Sequence, residues 1–292
     1  MSLVVENPDI MGKIPVPSGA NEIDILSFFN PDAAKMCLII LNQAINVDLT
    51  MLWDHSLLRV CADGGANRLY EFFGEEKERY IPDFIVGDFD SLTDEVKTYY
   101  QGKGAVLVHQ ASQYATDFQK AISVVSLYFQ AGSSVDFEAI DTEDGLLRLA
   151  EEHSTAPCPP VTLLVVNALG GRFDQTVHSI NQLYKITAEC PSFGVFLVSL
   201  DDIVFLVPGG VNYIHYDKQV IGPICGLLPM GRKCTLSTQG LKWDLTNWES
   251  DICGGNVSSS NAVVAEDGVV VECTEGGVVV NLEWAKNFMA KR

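Results

Sequence analysis

The 292-residue chain reads as an α/β protein: an N-terminal parallel, Rossmann-like α/β domain followed by a C-terminal β-sandwich domain. Three observations predict this. Six apolar runs of strand length occupy the first two-thirds, and they are continuous rather than alternating, as strands buried on both faces of a parallel sheet require. Helical periodicity fills several of the gaps between them. After about residue 204 the runs become short and Gly-rich turns separate them, which suits a small sandwich.

Residues 1–33 carry Pro15, Pro17 and Pro31 without long periodicity. They are read as a leader that wraps the body or frays. The α/β domain is expected over 34–204. Its strands are Met36–Leu41, Leu57–Ala62, Phe84–Val86, Ala105–Val108, Val161–Val166 and Gly194–Ser199. Ile122, Val125 and Phe129 recur at helical spacing after Thr116-Asp117, and Val177, Ile180, Tyr184 and Thr187 do so after Asp174. Asp or Thr near the first turn is a helix-start signal. Residues 131–160 form an acidic, loop-like insertion, with a short helix expected around Gly145–Glu151. The sandwich is expected over 205–292. There Val269–Cys273 and Val278–Leu282 flank Glu275-Gly276-Gly277 and read as a hairpin.

Composition narrows the function classes. An apolar fraction of 47% and a charged fraction of 20% describe an ordinary globular core. A formal charge of −19 argues against nucleic acid or an anionic membrane as partner, since both select basic surfaces. Eight scattered cysteines form no Cys-x-x-Cys pair, and the N-terminus has no signal-peptide pattern. A reduced, cytoplasmic location is the expectation, with no membrane span.

The chemistry gathers at equivalent points of the α/β pattern. Asp63 follows the second apolar run, Asp88 and Asp90 the third, Asp117 the fourth, and Arg172 and Asp174 the fifth. Ligands of an open parallel sheet bind beyond the carboxyl ends of its strands. In extended backbone Asp88 and Asp90 project to one side, and two carboxylates ~4 Å apart cost about 4 kcal/mol at an effective dielectric of 20. A hard cation such as magnesium relieves that repulsion and carries phosphates. Gly64-Gly65 and Gly170-Gly171 let backbone amides approach phosphate oxygens, and Arg172 offers a bidentate phosphate grip. No Walker loop is present. Blander readings stand beside these: Asp63 as a turn former, Asp88 and Asp90 as a solvated loop end, Asp117 as a helix cap, and Arg172 as a structural partner of Asp174.

Asp63-Gly64-Gly65-Ala66-Asn67, Gly87-Asp88-Phe89-Asp90-Ser91, Thr116-Asp117-Phe118 and Gly170-Gly171-Arg172-Phe173-Asp174-Gln175 resemble, in that order, the motifs of thiamine pyrophosphokinases of the eukaryotic type. Cys225–Pro229, Gly240–Leu245 and Ser258–Asn261 resemble the same family's thiamine-binding domain. The resemblance implies transfer of the pyrophosphoryl group of ATP to the hydroxyl of thiamine, giving thiamine diphosphate and AMP, in a homodimer with sites between subunits. It implies Mg2+ and the triphosphate held by Asp88, Asp90 and Asp117 with Asp63 nearby, and Asp90 or Asp117 as the base. ATP contacts are implied for Gly64, Gly65, Asn67, Thr116, Arg172, Asp174 and Gln175. Thiamine contacts are implied for Gln113, Trp243, Leu245, Ser260 and Asn261, with Trp243 as a platform for the pyrimidine; without the resemblance, alternation with Leu241 and Leu245 reads as a sandwich core. Tyr114 stands where the family commonly carries a further acid. The alternatives are a non-catalytic sensor of thiamine or its diphosphate, and a metal-dependent nucleotide hydrolase.

Overall fold

A computed structural model describes residues 3–29, 35–274 and 276–290. Pro31 of the leader and Glu275 of the last Gly-rich turn lie outside the described residues. The leader supplies β1 (Leu3–Glu6) and β2 (Asn21–Asp24). The α/β layer is β3 (Lys35–Ile40), α1 (Leu49–His55), β4 (Leu58–Ala62), α2 (Gly65–Phe73), β5 (Phe84–Gly87), α3 (Asp94–Gly102), β6 (Val106–His109), α4 (Asp117–Gln130), α5 (Gly145–Glu152), β7 (Val161–Val166), α6 (Phe173–Glu189) and β8 (Phe193–Val198). There follow β9 (Asp202–Val207), β10 (Gly210–His215), β11 (Ile221–Leu228), β12 (Cys234–Gln239), β13 (Trp243–Thr246), β14 (Trp248–Ser250), β15 (Ser258–Ala262), β16 (Gly268–Cys273) and β17 (Val278–Trp284).

The central apolar runs become strands because both of their faces are covered. In β3, Met36, Leu38 and Ile40 enter one core and Cys37 and Ile39 the other, as the two-residue period demands. Six strands run parallel in the order β8-β7-β3-β4-β5-β6. The order reverses direction between β3 and β7, and the crevice beyond their carboxyl ends is where such a sheet takes its ligand.

The sheet does not stop at β8. β9, β17, β11 and β15 extend it antiparallel to ten strands. A second sheet, β14-β12-β16-β10-β2, forms the other sandwich layer, so the leader wraps the body through β2 beside β10 and β1 beside β13. One apolar core runs without a break from Leu49 and Leu69 of the α/β layer to Leu236 and Val271 of the sandwich.

The expected hairpin across Gly276-Gly277 does not form. β16 pairs with β10 and β12, whereas β17 pairs with β9 and β11. Gly276 and Gly277 take φ of 102° and 73° and carry the chain from one layer to the other. Both strands are apolar enough to be central in their own sheets, so pairing with each other offers no advantage. Among the described residues, no helix is long and apolar enough to cross a membrane.

Candidate active site

The site starts from how three strands end. Asp63 leaves β4 with φ 44°, Phe89 follows β5 with φ 63°, and Asn167 follows β7 with φ 66°. Left-handed backbone at non-glycine residues is held only where the surroundings over-determine it, and it clusters at functional sites. Gly87 makes room for the first of these: a Cβ there would lie 2.7 Å from that of Asp63. The Asp63 amide is anchored on Val86 O at 2.8 Å.

The result is a carboxylate triad. Asp63, Asp88 and Asp117 each offer an oxygen within 4.8 Å of the others. Asp63 is 2% exposed. One of its oxygens accepts from Ser91 N at 3.1 Å, and Oδ1 has no hydrogen-bond partner. Burial, then the Asp117 charge, pushes the Asp63 carboxyl up to about 6. Burial also raises Asp117, with Lys120 opposing it. For Asp88 burial pushes upward, but hydrogen bonds from Gln113 and the Asp90 amide, with the Lys120 charge, hold the carboxyl below its ordinary value. Clustered like charges, one of them buried with an orphaned acceptor, are what a hard divalent cation satisfies, so these residues fit magnesium.

Asp90 departs from the expectation. Phe89 in left-handed backbone breaks the extended geometry, and the Asp90 amide turns back to donate to Asp88 Oδ1 at 3.2 Å. Asp90 therefore lines the same cleft but stands outside the triad, its carboxylate accepting from Ser91 Oγ at 2.9 Å.

The cleft has a volume of about 580 Å3 and lies at the switch between β3 and β7. Asp88, Asp90, Gln113, Thr116, Asp117, Arg172 and Gln175 all line it. Gln113 Nε2 donates to Asp88 at 2.6 Å. Thr116 caps α4 in a reciprocal pair with Gln119, and its hydroxyl meets His178 Nε2 at 2.9 Å. Arg172 spends both sides of its fork on Asp174, Nε to Oδ1 at 3.1 Å, in a pair open to solvent. Exposed pairs of this kind are weak, so a phosphate can compete for the guanidinium.

Other assigned residues serve the protein first. Asn67 donates to Ser91 O at 2.7 Å and accepts from Thr93 N, tying the acid-bearing loop to α2. A Cβ on Gly65 would lie 2.2 Å from Ile40 O, and one on Gly64 2.4 Å from the Asn42 amide. Gly65 is needed for close packing of α2 on β3 and Gly64 for room beside the Asn42 side chain, not only for the approach of a ligand. Tyr114 is fully exposed, so the triad assembles without contribution from the position where the family commonly has an acid.

Four residues assigned to thiamine lie elsewhere. None of Trp243, Leu245, Ser260 and Asn261 lines the acidic cleft. Trp243 is 41% exposed, which rules out a core role for it, whereas Leu245 at 3% belongs to the core. Asn261 is buried, and its amide accepts from Trp243 N at 3.1 Å and donates to Trp243 O at 2.9 Å and to Ser258 Oγ. With its donors and acceptor spent, it clamps the tryptophan instead of reaching a pyrimidine edge. Ser260 is exposed with φ 57°.

Sequence reasoning missed several lining residues: Asn42 and Gln43 after β3, Asn167 after β7, Lys120 and His178. The strand-end rule covers the first three. Lys120 follows Asp117 by three residues on one helix face, a readable spacing.

The sequence profile described as thiamin pyrophosphokinase, catalytic domain, matches residues 49–193, and that of the vitamin B1 binding domain matches 211–278. The thiamine pyrophosphokinase of Saccharomyces cerevisiae is 34% identical over 292 residues, covering 90% of each chain. Thiamine pyrophosphokinase 1 of Oryza sativa is 35% identical, covering 80% of this chain and 82% of its own. The solved structure of thiamin pyrophosphokinase from Candida albicans superposes with a TM-score of 0.91 at 41% identity, covering 98% of this chain and 99% of that one.

Proposed function

Because the chain belongs to the thiamin pyrophosphokinase family, we propose how its own residues move the pyrophosphoryl group of ATP onto the hydroxyl of thiamine, giving thiamine diphosphate and AMP. The observation that carries the reading is the triad of Asp63, Asp88 and Asp117, with Asp88 and Asp117 lining a cleft at the sheet's switch point and Asp63 buried beside them. Magnesium, when bound there, would offset charge on the phosphate oxygens. Asp63, Asp88 and Asp117 would hold it. Arg172, released from Asp174, and Gln175 face the nucleotide across the cleft from α6. Asp90 lines the cleft without belonging to the triad, and that leaves its carboxylate free to take the hydroxyl proton.

Trp243, held by Asn261, is the surface for the cationic substrate, whose ring it attracts by stacking and cation–π interaction. Ser260 stands exposed on the neighbouring strand. The domain division follows: 34–204 handles ATP and metal, 205–292 handles thiamine. Trp243 does not line the acidic cleft of its own chain, and Leu3, Val4 and Val5 are exposed on the strand paired with it. A homodimer in which one subunit's Trp243 face meets the other's cleft accounts for both. The cytoplasm, a reducing compartment, suits eight free cysteines.

Multiple turnovers of ATP and thiamine into AMP and thiamine diphosphate test the reaction. AMP release without thiamine would indicate a hydrolase, and stoichiometric binding without product a sensor; a chain that matches both the catalytic and the vitamin B1 binding domain favours neither. For the dimer, mixing inactive Asp88→Ala with thiamine-impaired Trp243→Ala should restore turnover at low thiamine, because one site of the mixed dimer then carries both native residues. No recovery, with a monomer by light scattering, would refute the shared site.

A further inference from the structure

Lys120 is the buried cation among the charged groups lining the cleft. The residue is 1% exposed, yet its ammonium reaches the cleft wall and meets Asp117 Oδ1 at 3.2 Å. An ammonium has three N–H donors, and among the described residues Asp117 is its hydrogen-bond partner. A charge taken out of water is compensated only when its remaining hydrogens are also satisfied. Among the described residues, two of them have no partner. Lys120 lines a cleft whose carboxylates, once paired with a divalent cation, would admit a polyanion, and the other cation there, Arg172, is solvent-exposed and occupied by Asp174.

We propose that Lys120 binds the pyrophosphoryl group itself, donating to its non-bridging oxygens while Asp117 holds the ammonium from behind. The proposal rests on the ATP-dependent reading given above. In the transfer, a bond forms from the thiamine hydroxyl oxygen to the β-phosphorus. The bond from that phosphorus to the bridging oxygen breaks, and its electron pair leaves with AMP. The hydroxyl proton goes to the carboxylate base, and Lys120 keeps all of its protons throughout. Its place on the first turn of α4, capped by Thr116 and Gln119, fixes the charge before substrate arrives. Such preorganised charge costs no reorganisation at the moment of reaction.

The competing explanation is that Lys120 merely orients Asp117, and the two differ in sign. Calorimetry on Lys120→Met should show affinity for α,β-methylene-ATP with Mg2+ falling about 10- to 100-fold, the loss of a charge-assisted hydrogen bond. AMP should bind as before, because it lacks the group contacted. Mn2+ alone should bind equally well or more tightly, since a positive charge beside the carboxylates has gone. Lys120→Arg should recover part of the triphosphate affinity. Lys120→Gln, which retains a donor to Asp117, carries the same comparison if the methionine variant does not fold. Unchanged triphosphate affinity, or Mn2+ and triphosphate affinity lost together, would overturn the proposal. If instead the unmodified protein fails to make thiamine diphosphate, the underlying reading fails, not the role of Lys120 alone.

Discussion

Replacing Asp63 by Asn should make the metal-free protein more stable and the enzyme inactive. Asp63 is 2% exposed, lies within reach of two other carboxylates and leaves Oδ1 without a partner. Its carboxyl is pushed from 3.8 up to about 6, first by burial and then by Asp117. The folded state therefore holds this proton more tightly than the unfolded chain does. Stability from this group is fully present below about pH 4 and is lost as pH rises to about 6. At ~1.4 kcal/mol per tenfold, the gap between 3.8 and about 6 costs the ionised, metal-free protein ~3 kcal/mol at pH 7.5. Asparagine keeps the acceptor for Ser91 N, tolerates the left-handed φ of 44°, and turns an amide donor toward Asp88 and Asp117. Calorimetry in the presence of a chelator should place Tm of Asp63→Asn above that of the parent by roughly 5 °C at pH 7.5, with the difference gone near pH 4. Added Mg2+ should raise Tm of the parent and not of the variant. An equal gain at pH 4 and pH 7.5, or none at either, would refute the electrostatic argument.

Asp88→Ala should lower kcat on the order of a thousandfold or more and leave thiamine binding nearly intact; retained turnover with lost thiamine affinity would contradict the assignment. Gly65→Ala should destabilise by about 3 kcal/mol in urea unfolding, because the new methyl meets the immobile Ile40 carbonyl at 2.2 Å, whereas Gly102→Ala, with nothing within 4 Å, should cost nothing. Trp243→Ala should raise KM for thiamine about tenfold with KM for ATP unmoved. Asn261→Ala should shift the same parameter less, since it acts through the Trp243 backbone; an ATP effect would place this face elsewhere.

What could be read from the residues was whatever depends on near neighbours. The six continuous apolar runs became the six parallel strands because a strand buried on both faces leaves no room for polar alternation. Asp63, Asp88, Asp117 and Arg172 were legible because the chain after a parallel strand must emerge at one edge. The ordered motifs likewise pointed to the family that the comparisons identify.

Long-range packing settled the rest. Whether Val278–Leu282 pairs with Val269–Cys273 depends on which edges the other strands leave open, and β9 and β10 claimed them separately. Asp90 left the triad because left-handed backbone at Phe89 overrode strand alternation. Asn261 became a clamp because a buried amide must satisfy its donors and acceptor on the nearest backbone. Lys120 acquired meaning only once burial removed it from water beside Asp117. A side chain's chemistry is local, but its solvation and its partners belong to the whole fold.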